Sequence, residues 1–403
     1  MIKKYIKYLP KCFSPFLFLI YCLVYFVPRN KKRWAFGSGV GMNFSDNAKY
    51  LFLYCSSLSE IHSYWITRNR VLVQSLRNEG LNAYYKYSLK GIWLSISSKV
   101  YVYDSRTGSI NHWTSAGSYK VNLWHGSPLK TIDRDIMVKH NAFYIGNHTR
   151  GFKRYLVRMV MPEWFVVPDF MIATSDKIKG YFNSAFGSHH IELTGYPRND
   201  IIINPKLYSK YLHFEQKIKD SLNTKKIILY TPTFRDTNRF KRQTPIIWDR
   251  LNELLSKYDT TFLIKLHRHD YSIIMDKTFT NIQILDSESD VYPIFDKIDL
   301  LITDYSSIFF DFILTDKPVL FYPYDKENYI QNDRSMYDDY DEVTPGNKVY
   351  SFEDLYTMLN DFLSDNSGFV PPNYNKIKLM YNQYNDDKSC ERVYNSIKRQ
   401  LSL

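Results

Sequence analysis

The chain has 403 residues, 44 % hydrophobic and 23 % charged, with 15 glycines and 16 prolines, which excludes disordered and fibrous classes and leaves room for two domains, each with its own core. A formal charge of +12 calls for an anionic partner: nucleic acid, a membrane surface or a phosphate-rich ligand. Cys12, Cys22, Cys55 and Cys390 show neither metal-ligand spacing nor a disulfide framework, as suits a reducing compartment.

The charge is concentrated at the start. Residues 1–33 hold Lys3, Lys4, Lys7, Lys11, Arg29, Lys31, Lys32 and Arg33 and no acidic residue. Between the two basic groups runs FSPFLFLIYCLVYFV (13–27), shorter than the roughly 20 residues of a straight membrane span. The PRNKKR that follows lacks the small residues of a signal-peptidase site. The pattern predicts that 1–32 dips into or lies on the inner leaflet, its Lys and Arg meeting anionic headgroups; a buried helix or a true span are the alternatives. Helix-turn-helix, zinc and RNA-binding signatures are missing elsewhere, so no nucleic-acid partner is expected.

Short apolar runs then alternate with helix-length amphipathic segments, the rhythm of βαβ units in parallel sheets. Strand candidates in the first half are RWAFGS (33–38), SYWITR (63–68), KVYVYD (99–104), KVNLW (120–124), DFMIAT (169–174) and HIELTG (190–195). A polar connecting helix and turn cover 204–225, and the pattern restarts with KIILYTPT (226–233), TFLIKLH (261–267), IQIL (282–285), DLLITD (299–304) and PVLFYP (318–323). The expected organisation is an α/β chain with two Rossmann-like domains facing across a cleft, 33–204 and 205–367, followed by a helical tail, 368–403, that folds back on the first.

Three strand ends of the second half carry anion-binding chemistry. LITDYSSIFFDF (301–312) turns from a buried strand into a helix expected to start near Ser306, where unpaired N–H groups and the dipole favour an anion. Asp304 can cap that helix, and Thr303, Ser306 and Ser307 add hydroxyls. Asp311, one turn beyond Ser307 in an apolar helix, needs a partner such as a ligand hydroxyl or a cation. YTPTFRD (230–236) ends in Thr231, Pro232, Thr233 and Arg235, and LIKLHRHD (263–270) in Lys265, His267, Arg268 and His269. Together these predict a pyrophosphate site, and the lack of a GxxxxGK[ST] run excludes a P-loop. In the first half, NLWHGSPLK (122–130) leaves its strand at His125, placed as a general base beside Gly126, which permits close backbone approach.

WHGSPLK, TGYPRND (194–200), YTPTFRD, LITDYSSIFFDF with PVLFYPYD (318–325) and RSMYDDYDEVTPG (334–346) stand in the order seen in the CDP-glycerol glycerophosphotransferase family of teichoic-acid and capsule biosynthesis, and FSDNAKYLFLY (44–54) is similar to that family's first-domain start. The resemblance covers about 33–365. It implies a GT-B-type transferase at the cytoplasmic face of the bacterial membrane, with no cofactor or metal, moving a polyol phosphate from a CDP donor to a hydroxyl of a lipid-linked glycan and releasing CMP. His125 matches the family's base and His267 its second histidine; KLHRHD lacks the proline many relatives carry there, so His269 competes for that role. The donor-binding set is Thr233, Arg235, Lys265, Thr303, Ser306, Ser307, Asp311 and Arg334, and the acceptor-side set Gly126, Ser127, Lys130 and Arg198. CDP-ribitol is an alternative donor. A sugar-nucleotide glycosyltransferase or epimerase, or a non-catalytic membrane scaffold, are the competing classes.

Overall fold

The strands Lys226–Thr231, Thr260–Lys265 and Leu300–Thr303 are buried almost along their length and read as apolar runs rather than alternating ones, as in a parallel sheet covered on both faces. The structure, a computed structural model, describes residues 14–138, 141–233, 235, 245–266, 278–286, 289–332, 335–365 and 367–402. Strands β1 (Asn30–Gly37), β2 (His62–Thr67), β3 (Ala83–Tyr85), β4 (Ser98–Tyr103), β5 (Tyr119–Asn122), β6 (Phe170–Ala173) and β7 (Ile191–Leu193) form one sheet in the order 3-2-1-4-5-6-7. Strands β8 (Lys226–Thr231), β9 (Thr260–Lys265), β10 (Ile282–Leu285), β11 (Leu300–Thr303), β12 (Val319–Phe321) and β13 (Asn347–Lys348) form a second in the order 10-9-8-11-12-13. The pairings are all parallel. Each order reverses once, at β1 between β2 and β4 and at β8 between β9 and β11, which opens a crevice at the carboxyl ends of those strands.

Two edge strands escaped the sequence reading. β3 has three residues and β13 two, too few to carry a pattern of their own, and their register comes from Trp65 opposite Ala83 and Phe321 opposite Lys348.

The basic and apolar start contributes a helix, Ser14–Val24, 11 residues long. Among the described residues no helix is long and apolar enough to cross a membrane. Tyr21 stacks on His112 at 5.2 Å, and the Arg29 guanidinium donates to the carbonyls of Ser95, Ser98, Thr114 and Ala116, riveting this segment to the first sheet's surroundings. At the other end, helix Ser389–Leu401 returns to the first half: the N–H groups of Ser389 and Cys390 each reach an Asp200 oxygen at 2.8 Å, and Tyr394 packs on Trp34.

The two halves share one buried apolar cluster that runs from Trp34 through Ile201 and Ile202 to Phe309 and Phe310. An ionic cluster reinforces the junction. Lys49, on helix Asp46–Ser56, donates to Glu215 of helix His213–Ser221 and to Asp290 of the second half, at 2.9 Å each, and the Tyr50 hydroxyl reaches Asp290 at 2.6 Å. Burial alone would raise the Asp290 pKa, but Lys49 and Tyr50 outweigh it and hold the carboxyl below its usual range.

Lys49→Ala leaves two buried carboxylates without their cation, so unfolding in urea at neutral pH should show a loss of about 3–5 kcal/mol. A depressed folded pKa contributes stability above the unfolded carboxylate range and loses it as pH falls through the folded value. The gap between wild type and variant should therefore narrow on acidification; a gap independent of pH would remove Asp290 from the account.

Candidate active site

A cavity of about 780 Å³ lies between the facing carboxyl edges, walled by Gly39, Val40, Asp46, Trp124, His125, Gly126 and Lys130 from the first half and by Thr231, Pro232, Thr233, Lys265, Ser289, Ser306 and Ser307 from the second. Both crevices where strand order reverses open into it.

On the second side, adjacent strand ends are pinned together. Thr303 Oγ1 donates to the Thr231 carbonyl at 2.8 Å and accepts from Thr231 Oγ1 at 3.1 Å. Asp304, expected as a helix cap, does something else: Oδ1 accepts the N–H groups of Thr233 at 2.8 Å and Tyr305 at 2.6 Å, while Oδ2 accepts Arg235 Nη2 at 2.9 Å. Regular helix starts at Phe309 rather than near Ser306, because 304–308 form a turn in which the Phe310 N–H reaches the Ser307 carbonyl. That turn presents Ser306 and Ser307 to the cavity. Thr233 also faces it, with an Oγ1 that is buried and has no hydrogen-bond partner among the described residues.

Arg235 stands behind this wall. It is 4 % exposed, and its guanidinium is consumed by Asp325 (Nε to Oδ2 at 2.7 Å, Nη2 to Oδ1 at 2.8 Å), by Asp304 and by the Thr233 carbonyl, with the Tyr305 and Tyr329 rings 4.8 Å away. Burial works against its charge, but Asp304 and Asp325 more than offset this and hold the pKa above its usual value. Its geometric role is to shape the 231–233 exit. Lys265 lines the cavity and reaches the Asp286 carbonyl at 2.7 Å. His267, His269 and Arg334 lie outside the described residues.

On the first side, the strand-to-loop turn is held by a residue the sequence reading passed over. Asn47, fully buried, donates to the carbonyls of Leu123 at 3.3 Å and Trp124 at 3.0 Å, and accepts the Arg198 N–H at 3.2 Å. Trp124 takes a left-handed φ of 53°, which swings His125 into the cavity. Nδ1 of His125 lies 3.0 Å from the Asp104 carbonyl, an oxygen that can only accept, so Nδ1 carries the proton and Nε2 keeps its lone pair. The ring meets cavity solvent, yet enough protein surrounds it that desolvation lowers its pKa; Asp46 and the Asp104 carbonyl oppose that shift. The Asp104 carboxyl is pushed up to about 7 by burial and by Asp46. Ser127 is buried behind the turn, its hydroxyl on Thr174 at 3.1 Å.

Two of the remaining assigned residues meet each other. Arg198 and Asp311, placed by the sequence on opposite sides of the reaction, form an ion pair across the two halves at 2.6 Å, with Asp311 fully buried and away from the cavity lining. The cation that Asp311 required is thus Arg198. Gly126 shows how closely the halves approach: its φ is +142°, and a Cβ there would lie 3.0 Å from Arg198 Nη2 and 3.3 Å from Ser307 Oγ. Lys130 adds a second crossing, bridged to Met336, with Thr131 N–H on the Ser335 carbonyl at 2.9 Å and Tyr337 N–H on that of Leu129 at 3.1 Å. Ser335, Met336 and Tyr337 thereby strap the second half to the first.

Two parallel sheets whose carboxyl edges face one cavity, with a histidine on one wall and hydroxyls with a lysine on the other, define a GT-B-like α/β protein built for group transfer. The chain matches the family described as CDP-Glycerol:Poly(glycerophosphate) glycerophosphotransferase over residues 19–399 and belongs to it, so it is a glycerophosphotransferase. It is 28 % identical over 361 residues to the teichoic acid poly(glycerol phosphate) polymerase of Bacillus spizizenii, covering 86 % of each chain. To the teichoic acid glycerol-phosphate transferase of Staphylococcus aureus it is 29 % identical over 331 residues, 79 % of this chain and 80 % of the other. The solved wall teichoic acid polymerase TagF superposes with a TM-score of 0.76 over 99 % of this chain and 98 % of that one at 22 % identity, a likeness of fold.

Gly126→Ala should fold, because the strain is local, but displace His125 relative to Ser307. The expected result is a melting temperature within a few degrees of wild type, for a cost of about 1–3 kcal/mol, and turnover reduced at least about tenfold. Wild-type turnover would show that the close approach is not needed.

Proposed function

We propose that the enzyme transfers glycerol phosphate from CDP-glycerol to a hydroxyl of a lipid-linked teichoic-acid acceptor, with His125 as general base and Thr233, Lys265, Ser306 and Ser307 as the donor-phosphate site. The observation that carries this reading is the packing of the His125–Gly126 turn against Ser307, which sets a base and a ring of anion-binding groups on opposite walls of one cavity. The acceptor O–H proton goes to Nε2 of His125, its oxygen bonds the donor's β-phosphorus, and the bond from that phosphorus to CMP breaks with the electron pair leaving on CMP. Hydroxyls, N–H groups and Lys265 meet the charge that develops on the departing phosphate. Glycerol rather than ribitol is supported by the family and by two relatives named for glycerol phosphate. His267, His269 and Arg334 belong to the same reading by sequence alone.

Attachment to an anionic membrane is the second element of the proposal. Helix Ser14–Val24 and the residues after it leave Phe16, Phe18, Leu19, Leu23, Tyr25 and Phe26 exposed, Phe26 at 80 %. Beside it packs helix Gly151–Val160, which exposes Phe152, Tyr155 and Leu156 next to Lys153, Arg154 and Arg158. Apolar rings rimmed by basic groups on one surface are what an interfacial, non-spanning attachment needs.

Incubated with a synthetic lipid acceptor, the enzyme should release CMP from CDP-glycerol, add the mass of glycerol phosphate to the acceptor and leave UDP-sugars intact; consumption of CDP-ribitol alone would overturn the donor assignment. His125→Ala should bind CDP-glycerol nearly as wild type and turn over about two to four orders of magnitude more slowly. Normal turnover would remove His125 from the chemistry. Replacing Phe18, Leu23 and Phe26 by glutamate should weaken sedimentation with phosphatidylglycerol vesicles by at least about tenfold. Unchanged sedimentation would place the attachment elsewhere.

A further inference from the structure

Among the described residues His125 has no directly bonded carboxylate. Its Nδ1–H is held by a backbone carbonyl, that of Asp104, so the imidazolium formed during transfer receives no full countercharge through that bond. The charged residues whose fields or bonds act on the ring are Asp46 at the start of helix Asp46–Ser56, Asp104 just after β4, Arg106 in the following loop and Arg198 before helix Asn199–Ile203. Three of these are committed. The Asp104 carboxyl accepts from Gly39 N–H at 3.2 Å and Ser105 Oγ at 3.3 Å, Arg106 is paired with Asp133, and Arg198 binds Asp311.

Asp46 is placed differently. It lines the cavity, and its backbone takes a left-handed φ of 62°, a conformation that non-glycine residues seldom adopt. Its carboxylate is held by one nitrogen: Arg198 Nη1 donates both to Asp46 Oδ1 and, at 3.0 Å, to the His125 carbonyl. Asp46 and the base are thus tied to the same guanidinium, whose other nitrogen reaches Asp311. Counted as formal charges, two carboxylates and one guanidinium leave one net negative charge beside neutral His125 and none once His125 has taken the proton.

We propose that Asp46 is a positioning residue that balances the charge His125 acquires from the acceptor hydroxyl, with Arg198 fixing its distance from the ring. The proposal rests on His125 being the base. It makes a signed prediction that a merely structural helix-start carboxylate does not. Base catalysis needs neutral His125, so turnover rises with pH through the histidine's pKa. Removing the nearby negative charge makes protonation less favourable, and the acidic limb must move to lower pH.

The pH profile of kcat is measured on the full chain with saturating CDP-glycerol and acceptor for wild type, Asp46→Asn, Asp104→Asn and His125→Gln. Asp104→Asn keeps the carbonyl that holds Nδ1 and identifies any limb belonging to the Asp104 carboxyl. Asp46→Asn should shift the histidine limb down by about one pH unit and lower the plateau about tenfold or more, with donor affinity by calorimetry unchanged. If Asp46→Asn does not bind donor, Asp46→Ser, which retains a helix-start oxygen, carries the same test. A lowered plateau with an unmoved limb leaves Asp46 a structural role and overturns the proposal alone. Loss of turnover equal to that of His125→Gln would make Asp46 the proton acceptor and overturn it as well. A wild-type limb persisting in His125→Gln removes the base itself, and this inference falls with it.

Discussion

The guanidinium of Arg198 is the interaction on which the arrangement depends. It is 2 % exposed, sits between two sheets that share no hydrogen-bonded strand, and binds Asp46 and the His125 carbonyl on one side and Asp311 on the other. Burial disfavours its charge, yet Asp311, Tyr292 and Asp46 more than compensate, so the fork stays cationic. A planar, permanently charged group with donors in fixed directions can satisfy three acceptors from two halves at once; a lysine in that place would hold its partners less rigidly. Because the carboxylates are buried or half-buried, the halves cannot separate without leaving them poorly compensated, and the His125–Gly126 turn and Ser307 are thereby kept at contact distance.

Around that joint each sheet contributes what its topology makes available. Parallel strands end in the same direction, so their carboxyl-end turns converge, and the reversal of strand order at β1 and at β8 leaves a crevice not roofed by a connecting helix. The second crevice is lined by the hydroxyl-bearing Thr231, Thr233, Ser306 and Ser307 and by Lys265, while Arg235 is spent on Asp304 and Asp325 behind the wall. A stiff carboxylate–guanidinium box thus fixes the turn, and the turn in its place holds the hydroxyls of Thr233, Ser306 and Ser307 toward the cavity.

Much of this was legible in the chain. Continuous apolar runs that end in Thr, Ser, His or Asp marked most of the buried parallel strands and their functional ends, and glycine after His125 marked a close approach that the structure realises against Ser307. What escaped had no local signature. Asn47 and Asp46 read as ordinary polar residues at a helix start, and their work is done on Leu123, Trp124 and Arg198, far away in sequence. Asp104 contributes through its backbone carbonyl, which no side-chain pattern announces. Asp304 looked like a cap because capping is the commonest role for aspartate before a helix; a partner 69 residues away outcompeted it.

The sequence by itself determined the parallel α/β class, the positions of most buried strands and the chemical character of their ends, since these follow from hydrophobic runs, turn residues and short-range periodicity. Only the tertiary structure decided which of those ends face a ligand and which face each other. Arg198 and Asp311 are each plausible ligand-binding residues taken singly, and they neutralise one another because packing brings them within 2.6 Å in a place where an unpaired charge could not be buried.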